Sequence, residues 1–448
     1  MNDDSRHLQG EGLKFLFVYL APGITRFNGA VFLYSAFATI GLLTFISTGT
    51  ALVLNAKFGI PANEQGTISG DLVIVTEIMQ FLVFGVVGVA ADRIGRREVF
   101  ALGMLTMGLG YLLYPFANSV TELIVYRAVY AVGLGASTGM LGTLVADYSS
   151  DSTRGRFVAV SGIANGLGVI VITLVFGRNF PPYLVEAGYS AVQATTITHV
   201  AVFIICLLSA LLFWVGLKPG TPAAKEERLP VRELIVSGVA EARNPRIALS
   251  YASAFVARSD LVILGTFTVL WGTVAGVDNG MDPAVAAARG AGLFGIASGA
   301  ALLWLGILGA VMDRFNRVTT VIVCMTLATI GYSSMLLVDD PLSKDSIPLF
   351  LLLGVGQISA FFGATTLISS EAPRLKRGVV IGAFNMCGAI GIFIASGIGG
   401  RLFDSVGPYA PFLLIGALNA CVAVMAVFVR IFSPGQQGGQ RPAEVVVH

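Results

Sequence analysis

Gly88-Val-Ala-Ala-Asp92-Arg93-Ile-Gly95-Arg96-Arg97 is a short charged turn set between two apolar runs, each long enough to cross a membrane. A similar stretch, Gly309-Ala-Val-Met-Asp313-Arg314-Phe-Asn-Arg317, returns about 221 positions later, again between two apolar runs. Asp147…Arg154-Gly-Arg156 and Glu371…Lys376-Arg377-Gly378 repeat at nearly the same offset, as do Asn165 and Asn385. A charged turn repeated at half-chain spacing describes a chain built from two similar halves.

Composition decides the class. The 448 residues are 55% hydrophobic and only 12% charged, with a mean hydropathy of +0.81. Soluble domains carry about 25% charged residues, so large soluble cores are excluded. Gly is abundant at 54 residues, as suits spanning helices whose backbones approach closely. The net charge of +2 gives no reason to expect nucleic acid. Cys206, Cys324, Cys387 and Cys421 lie in apolar runs without metal-ligand spacing. The three histidines form no cluster, and no cofactor or metal is expected.

Twelve spans are read at 29–54, 70–91, 98–117, 121–146, 157–180, 193–216, 247–275, 290–312, 318–338, 348–370, 379–402 and 409–432. With the N-terminus inside, Lys and Arg on inside segments outnumber those outside by about four to one, so both termini are expected in the cytoplasm. The expected division is a cytoplasmic N-terminus over 1–28, two six-helix bundles over 29–217 and 247–433, a linker over 218–246, and a disordered tail over 434–448. Residues 13–20, too short to span, read as an interfacial helix.

The loop signature Gly88-x-x-x-Asp92-Arg93-x-Gly95-Arg96-Arg97 and its degenerate second copy resemble the major facilitator superfamily, and the likeness covers the whole chain in span count and loop placement. It implies an all-α integral membrane protein of twelve transmembrane helices in two pseudo-symmetric six-helix bundles. It also implies alternating access by rocking halves, and a solute path lined by spans 1, 4, 7 and 10. Arg127 with Gly133 and Gly135 is similar to the family's span-4 arginine motif, linked to proton coupling. The Gly-Pro pair of drug/proton antiporters is absent from span 5, where Leu167 stands in the proline's place.

An ionisable group at bilayer depth costs roughly 2.5–3.5 kcal/mol or more and normally faces a cavity or a partner. Glu77, Arg127, Arg258 and Asp260 are such groups. Glu77 lies about 22 Å from Asp92 along a helix, and Arg127 about 30 Å from Asp147, so both fall in the outer half of the membrane and a pair between them is open. Arg258 and Asp260, about 17–20 Å into span 7, point to different helix faces. Each of the four either binds substrate or a proton, or forms a structural pair. Asp260 and Glu77 are the proton candidates, and an arginine is the candidate ligand for an anionic solute. Tyr34, Thr39, Gln357, Asn165 and Asn385 are the polar candidates on or near the path; hydroxyls and amides also serve as helix–helix glue. Gly88, Asp92, Arg93, Gly95, Arg96 and Arg97, with Asp313, Arg314 and Arg317, are read as a cytoplasmic gate. In it Asp92 accepts from Arg96 or from the first amides of span 11.

The expected function is secondary active transport of a small organic solute across the cytoplasmic (inner) membrane. Protons are the expected coupling ion and a monomer in the lipid bilayer the expected state; the direction is open, since the 2–3 loop and Arg127 lean towards efflux and the missing Gly-Pro pair leans away. Uptake or exchange of an organic anion is the alternative. A transporter-like sensor that binds without translocating is the alternative of another class. No nucleophile–base, zinc or phosphate-cradling motif appears, so neither an enzyme nor an ATP-driven pump is expected.

Overall fold

The computed structural model describes residues 13–150, 153–220, 231–312, 315–373 and 376–433. Asp313, Arg314 and the tail over 434–448 lie outside the described residues. Among the described residues, twelve helices are long and apolar enough to cross a membrane. They are Arg26–Phe58, Ala62–Phe84, Arg96–Phe116, Val120–Tyr148, Arg154–Glu186, Ala191–Gly216, Pro245–Asp278, Pro283–Gly309, Arg317–Leu337, Lys344–Glu371, Gly378–Ser405 and Ala410–Phe432, called spans 1 to 12 below.

Local chemistry sets their ends. Thr25 and Ser190 each begin a helix through a capping box, taking up backbone N–H groups that the first turn leaves unpaired. Spans 2 and 8 begin about seven residues earlier than hydropathy suggests. Pro61 caps the first and Pro283 opens the second, and proline loses nothing where the helix has no N–H to bond. Span 5 passes through a π-helical turn, Thr173–Asn179, and continues as Phe180–Glu186. The wider turn precedes Pro181 and Pro182, which have no N–H to give.

Contacts divide the described chain into two compact units. One holds spans 1 to 6 together with Thr268–Gly295; the other holds span 7 up to Phe267 and the chain from Ile296 onwards. The core of the first unit is aromatic. Phe32 stacks on Phe157 at 5.1 Å, and the Tyr111 and Tyr130 hydroxyls donate to the carbonyls of Leu42 and Leu43 at 2.5 and 3.2 Å. These bonds tie spans 3 and 4 to span 1 at positions where hydrocarbon offers no other partner.

The expected interfacial helix over 13–20 is corrected to a two-stranded hairpin, Lys14–Phe15 against Val18–Tyr19. Eight residues are too few for a stable isolated helix, and here the backbone has a better offer. Tyr19 and Leu20 continue the pairing onto the loop after span 4. There Ser150 N–H donates to Tyr19 O, Ala21 N–H to Tyr148 O, and Leu20 bridges Ser149. Thr153 closes the arrangement by accepting from Tyr19 N–H at 2.8 Å and donating to Tyr19 O at 3.1 Å.

In the second unit the linker contains a short helix, Val231–Ala240. Tyr251 on span 7 donates to Gly238 O at 2.8 Å. Lys376 pairs with Glu241 at 2.5 Å, and Arg246 with Glu371 at 3.1 Å. The loop-side ends of spans 7, 10 and 11 are thereby bound to that helix and to one another.

Candidate functional site

The charged loop folds as its sequence requires. Gly95 closes the helix that begins at Ala62 and adopts φ +110°, a backbone conformation that side-chain-bearing residues avoid. The next helix starts at once with Arg96. Asp92 and Arg93 are exposed in the last turn and Gly88 is half-buried. Arg96 forms an ion pair with Asp147, the penultimate residue of span 4. Arg97 pairs with its neighbour Glu98 at 2.6 Å. The loop is thus fastened to the end of span 4 within one unit. In the second copy Arg317 opens span 9, behind an Asn316 cap.

Arg127 is the most confined charge in the first unit. It is 5% exposed. Its Nε donates to Thr76 Oγ1 at 2.7 Å, its guanidinium lies 5.2 Å over the Tyr130 ring, and its Nη1 finds no hydrogen-bond partner among the described residues. Glu77, one residue beyond Thr76, is half-buried and accepts from Gln80 Nε2 at 3.4 Å. Arg127 therefore meets a hydroxyl and an aromatic face where a carboxylate was open to it.

In the second unit the two charges of span 7 part company. They stand two residues apart, about 200° around the helix. Arg258 reaches span 11 and donates through Nη2 to Asn385 Oδ1 at 2.8 Å. Its stem lies flat on Gly388, and Gly391 one turn on packs against the Phe255 carbonyl, so neither position has room for a Cβ. Asp260 turns to the opposite side and is fully buried. Both of its carboxyl oxygens accept from Asn419 Nδ2 at 3.2 Å, and its backbone carbonyl accepts from the Tyr332 hydroxyl at 2.7 Å. Two residues singled out from sequence, Arg258 and Asn385, are thus in contact, 127 positions apart.

The remaining candidates do not converge on these groups. The Tyr34 hydroxyl bonds Ser209 Oγ on span 6 at 2.8 Å, inside its own bundle. Thr39 is fully buried, and its hydroxyl has no partner among the described residues; Asn165 Oδ1 is likewise buried and unpartnered. Gln357 is buried in span 10. Sequence reasoning missed Thr76 and Asn419. Asn419 had a usable signal, an amide in the apolar run of span 12 at about the depth of Asp260. Thr76 had none, because a threonine in a spanning helix commonly satisfies itself on its own helix.

Comparison with known proteins fits this arrangement. MamH, a magnetosome protein of Paramagnetospirillum magneticum, is 29% identical over 410 residues, covering 90% of this chain and 92% of MamH. MamZ of the same organism is 27% identical over 402 residues, covering 84% of this chain and 59% of MamZ. Among solved structures, the nucleoside transporter NupG superposes with a TM-score of 0.67 at 14% identity, covering 90% of this chain and 99% of NupG, a likeness of fold. The profile of the Major Facilitator Superfamily matches residues 28–396. The chain is a member of that superfamily, a multi-pass membrane protein of a transporter family with twelve spanning helices in two pseudo-symmetric six-helix bundles.

Proposed function

We propose that the chain is a secondary active transporter that moves a small organic solute across the cytoplasmic membrane by alternating access, in exchange with or alongside protons. One observation carries this reading furthest: a guanidinium at membrane depth, on Arg127, with an unpartnered nitrogen. A cation there is costly unless a negative group meets it during the cycle. An anionic group on the solute supplies that partner, through the planar fork that suits carboxylate and phosphate. Arg258, bonded to Asn385, is a second anchor. Asp260 is the proposed proton site, because its side-chain partner is an amide and, among the described residues, no salt bridge holds it in one charge state. Asp92 and the 2–3 loop are proposed to gate the cytoplasmic side.

The test is flux into proteoliposomes under an imposed pH gradient, with a panel of organic anions, cations and neutral solutes. Wild type is expected to concentrate or expel an anion in response to the gradient. Arg127→Gln should lower that flux at least tenfold, and Arg127→Lys should restore part of it. An unchanged anion flux in a well-folded Arg127→Gln protein removes the anion reading. Binding without flux for every solute favours the sensor. A second reading concerns location. The length-wide likeness to MamH favours service in a magnetosome membrane, and membrane fractionation with a tagged chain separates that from the cytoplasmic membrane.

A further inference from the structure

On the face of span 7 opposite to Arg258, one turn from Asp260, an open groove of about 370 Å³ lies between spans 7, 11 and 12, wholly within the second unit. Ala252 and Val256 line it from span 7, Cys387 and Ile390 from span 11, Leu418 and Cys421 from span 12. On each helix the lining residues are three or four apart and so share one face. The space exists because Ala252, Cys387 and Cys421 are small, one on each helix. On one side spans 7 and 11 close it by crossing tightly, where Gly391 meets the Phe255 carbonyl.

The lining cannot satisfy a polar guest. The Tyr251 hydroxyl at its edge is already committed to Gly238 O at 2.8 Å, and thiols are weak donors and acceptors. A water needs two to four polar partners, which this open apolar groove does not offer. Depth narrows the guest further. Ala252, Cys387 and Cys421 lie roughly 10–16 Å along their helices from the loop-side ends, within one leaflet of a hydrocarbon core about 30 Å thick. The mouth faces the same layer. Cys421 and Ile390 are exposed, and the exposed strip of span 12 runs on through Val424 and Phe428.

We infer that this groove holds one acyl chain of a membrane lipid. An open groove between three helix faces, apolar, at hydrocarbon depth and continuous with the lipid-facing surface, fits a narrow flexible chain better than a compact polar solute. The chain packs on the faces of spans 7 and 11 opposite to Arg258 and Asn385, since Val256 and Arg258, like Asn385 and Cys387, stand two residues apart. It therefore braces those helices from behind the Arg258–Asn385 bond.

Native mass spectrometry of the full-length protein tests this, after exchange into detergent containing either phosphatidylethanolamine or palmitate. Wild type is expected to retain one acyl-bearing molecule more than Ala252→Phe, whose ring fills the slot. Cys421→Phe fills the same space from another helix and serves where Ala252→Phe does not fold. Val424→Phe, on the same lipid-facing strip, is expected to retain the wild-type number. Loss of phosphatidylethanolamine from the filling variants supports the acyl chain of a membrane lipid, whether or not palmitate is lost too; loss confined to palmitate overturns it in favour of a free fatty acid. Equal retention by wild type and both filling variants overturns the inference, as does retention of neither lipid by wild type. None of these outcomes depends on which solute the protein carries.

Discussion

Asp260 and Asn419 show how much one pair of side chains decides inside this fold. Both are fully buried, and among the described residues Asn419 Nδ2 is the side-chain donor to the Asp260 carboxyl. Removing one partner leaves a polar group in an apolar core, at a cost of about 1–3 kcal/mol. Removing both is far cheaper, because nothing is left unpaired. Asn419→Leu and Asp260→Leu should therefore each lower the thermal midpoint in detergent, while the double variant recovers much of the loss. Additive losses would mean that the pair contributes nothing as a pair. Asp260→Asn keeps hydrogen-bonding capacity and removes the titrating proton. It should leave stability nearly intact while abolishing pH-driven flux and sparing solute exchange. Normal pH-driven flux in that variant would take Asp260 out of the coupling scheme.

At the scale of elements, the N-terminal hairpin is the part of the chain furthest from its sequence reading. Its tip exposes Leu16 and Phe17, 54% and 78% accessible, with Leu16 at φ +51°. Beside its backbone bonds to Tyr148, Ser149 and Ser150, it is held by Thr153, which both donates to and accepts from Tyr19 across 134 residues. Thr153→Val keeps the shape and deletes both bonds, each worth about 0.5–1.5 kcal/mol. Amide exchange at Tyr19 should then rise several-fold while exchange in the middle of span 4 stays unchanged; unchanged exchange at Tyr19 would show that the bridge to Ser149 suffices. The spanning helices were legible because hydropathy over some 20 residues is a local property, and the Gly95 turn because a positive φ calls for glycine. The hairpin was not, because its pairing strand is the loop after span 4. For the same reason Arg258 and Asn385 were legible as polar residues at depth but not as a bonded pair. Which face of span 7 meets span 11 is set by Gly388 and Gly391, small residues that mean close packing anywhere in a membrane helix.

For the whole molecule, the proposed transport cycle sets a different task for bonds inside one six-helix half than for bonds between the halves. If the halves rock as bodies, bonds inside spans 1 to 6 or inside spans 7 to 12 persist through every state, and only bonds between the halves are made and broken. Arg96–Asp147 lies inside the first unit and joins the 2–3 loop to the end of span 4. It is then a brace that keeps the loop rigid on its own bundle, so that whatever the loop meets is felt by all of spans 1 to 6. This separates two roles that the loop sequence runs together. Replacing Arg96 and Asp147 with cysteines, in a background whose native cysteines have been replaced, and joining them with a short thiol crosslinker should leave flux close to the uncrosslinked level. The covalent link only repeats a brace that never opens. The charge-reversed double variant, Arg96→Asp together with Asp147→Arg, should recover flux that either single reversal loses, since exchanging the ends of an ion pair preserves the tie. Flux that stops on crosslinking and returns on cleavage of the linker would show that loop and span 4 separate during the cycle, and that the first unit does not move as one body.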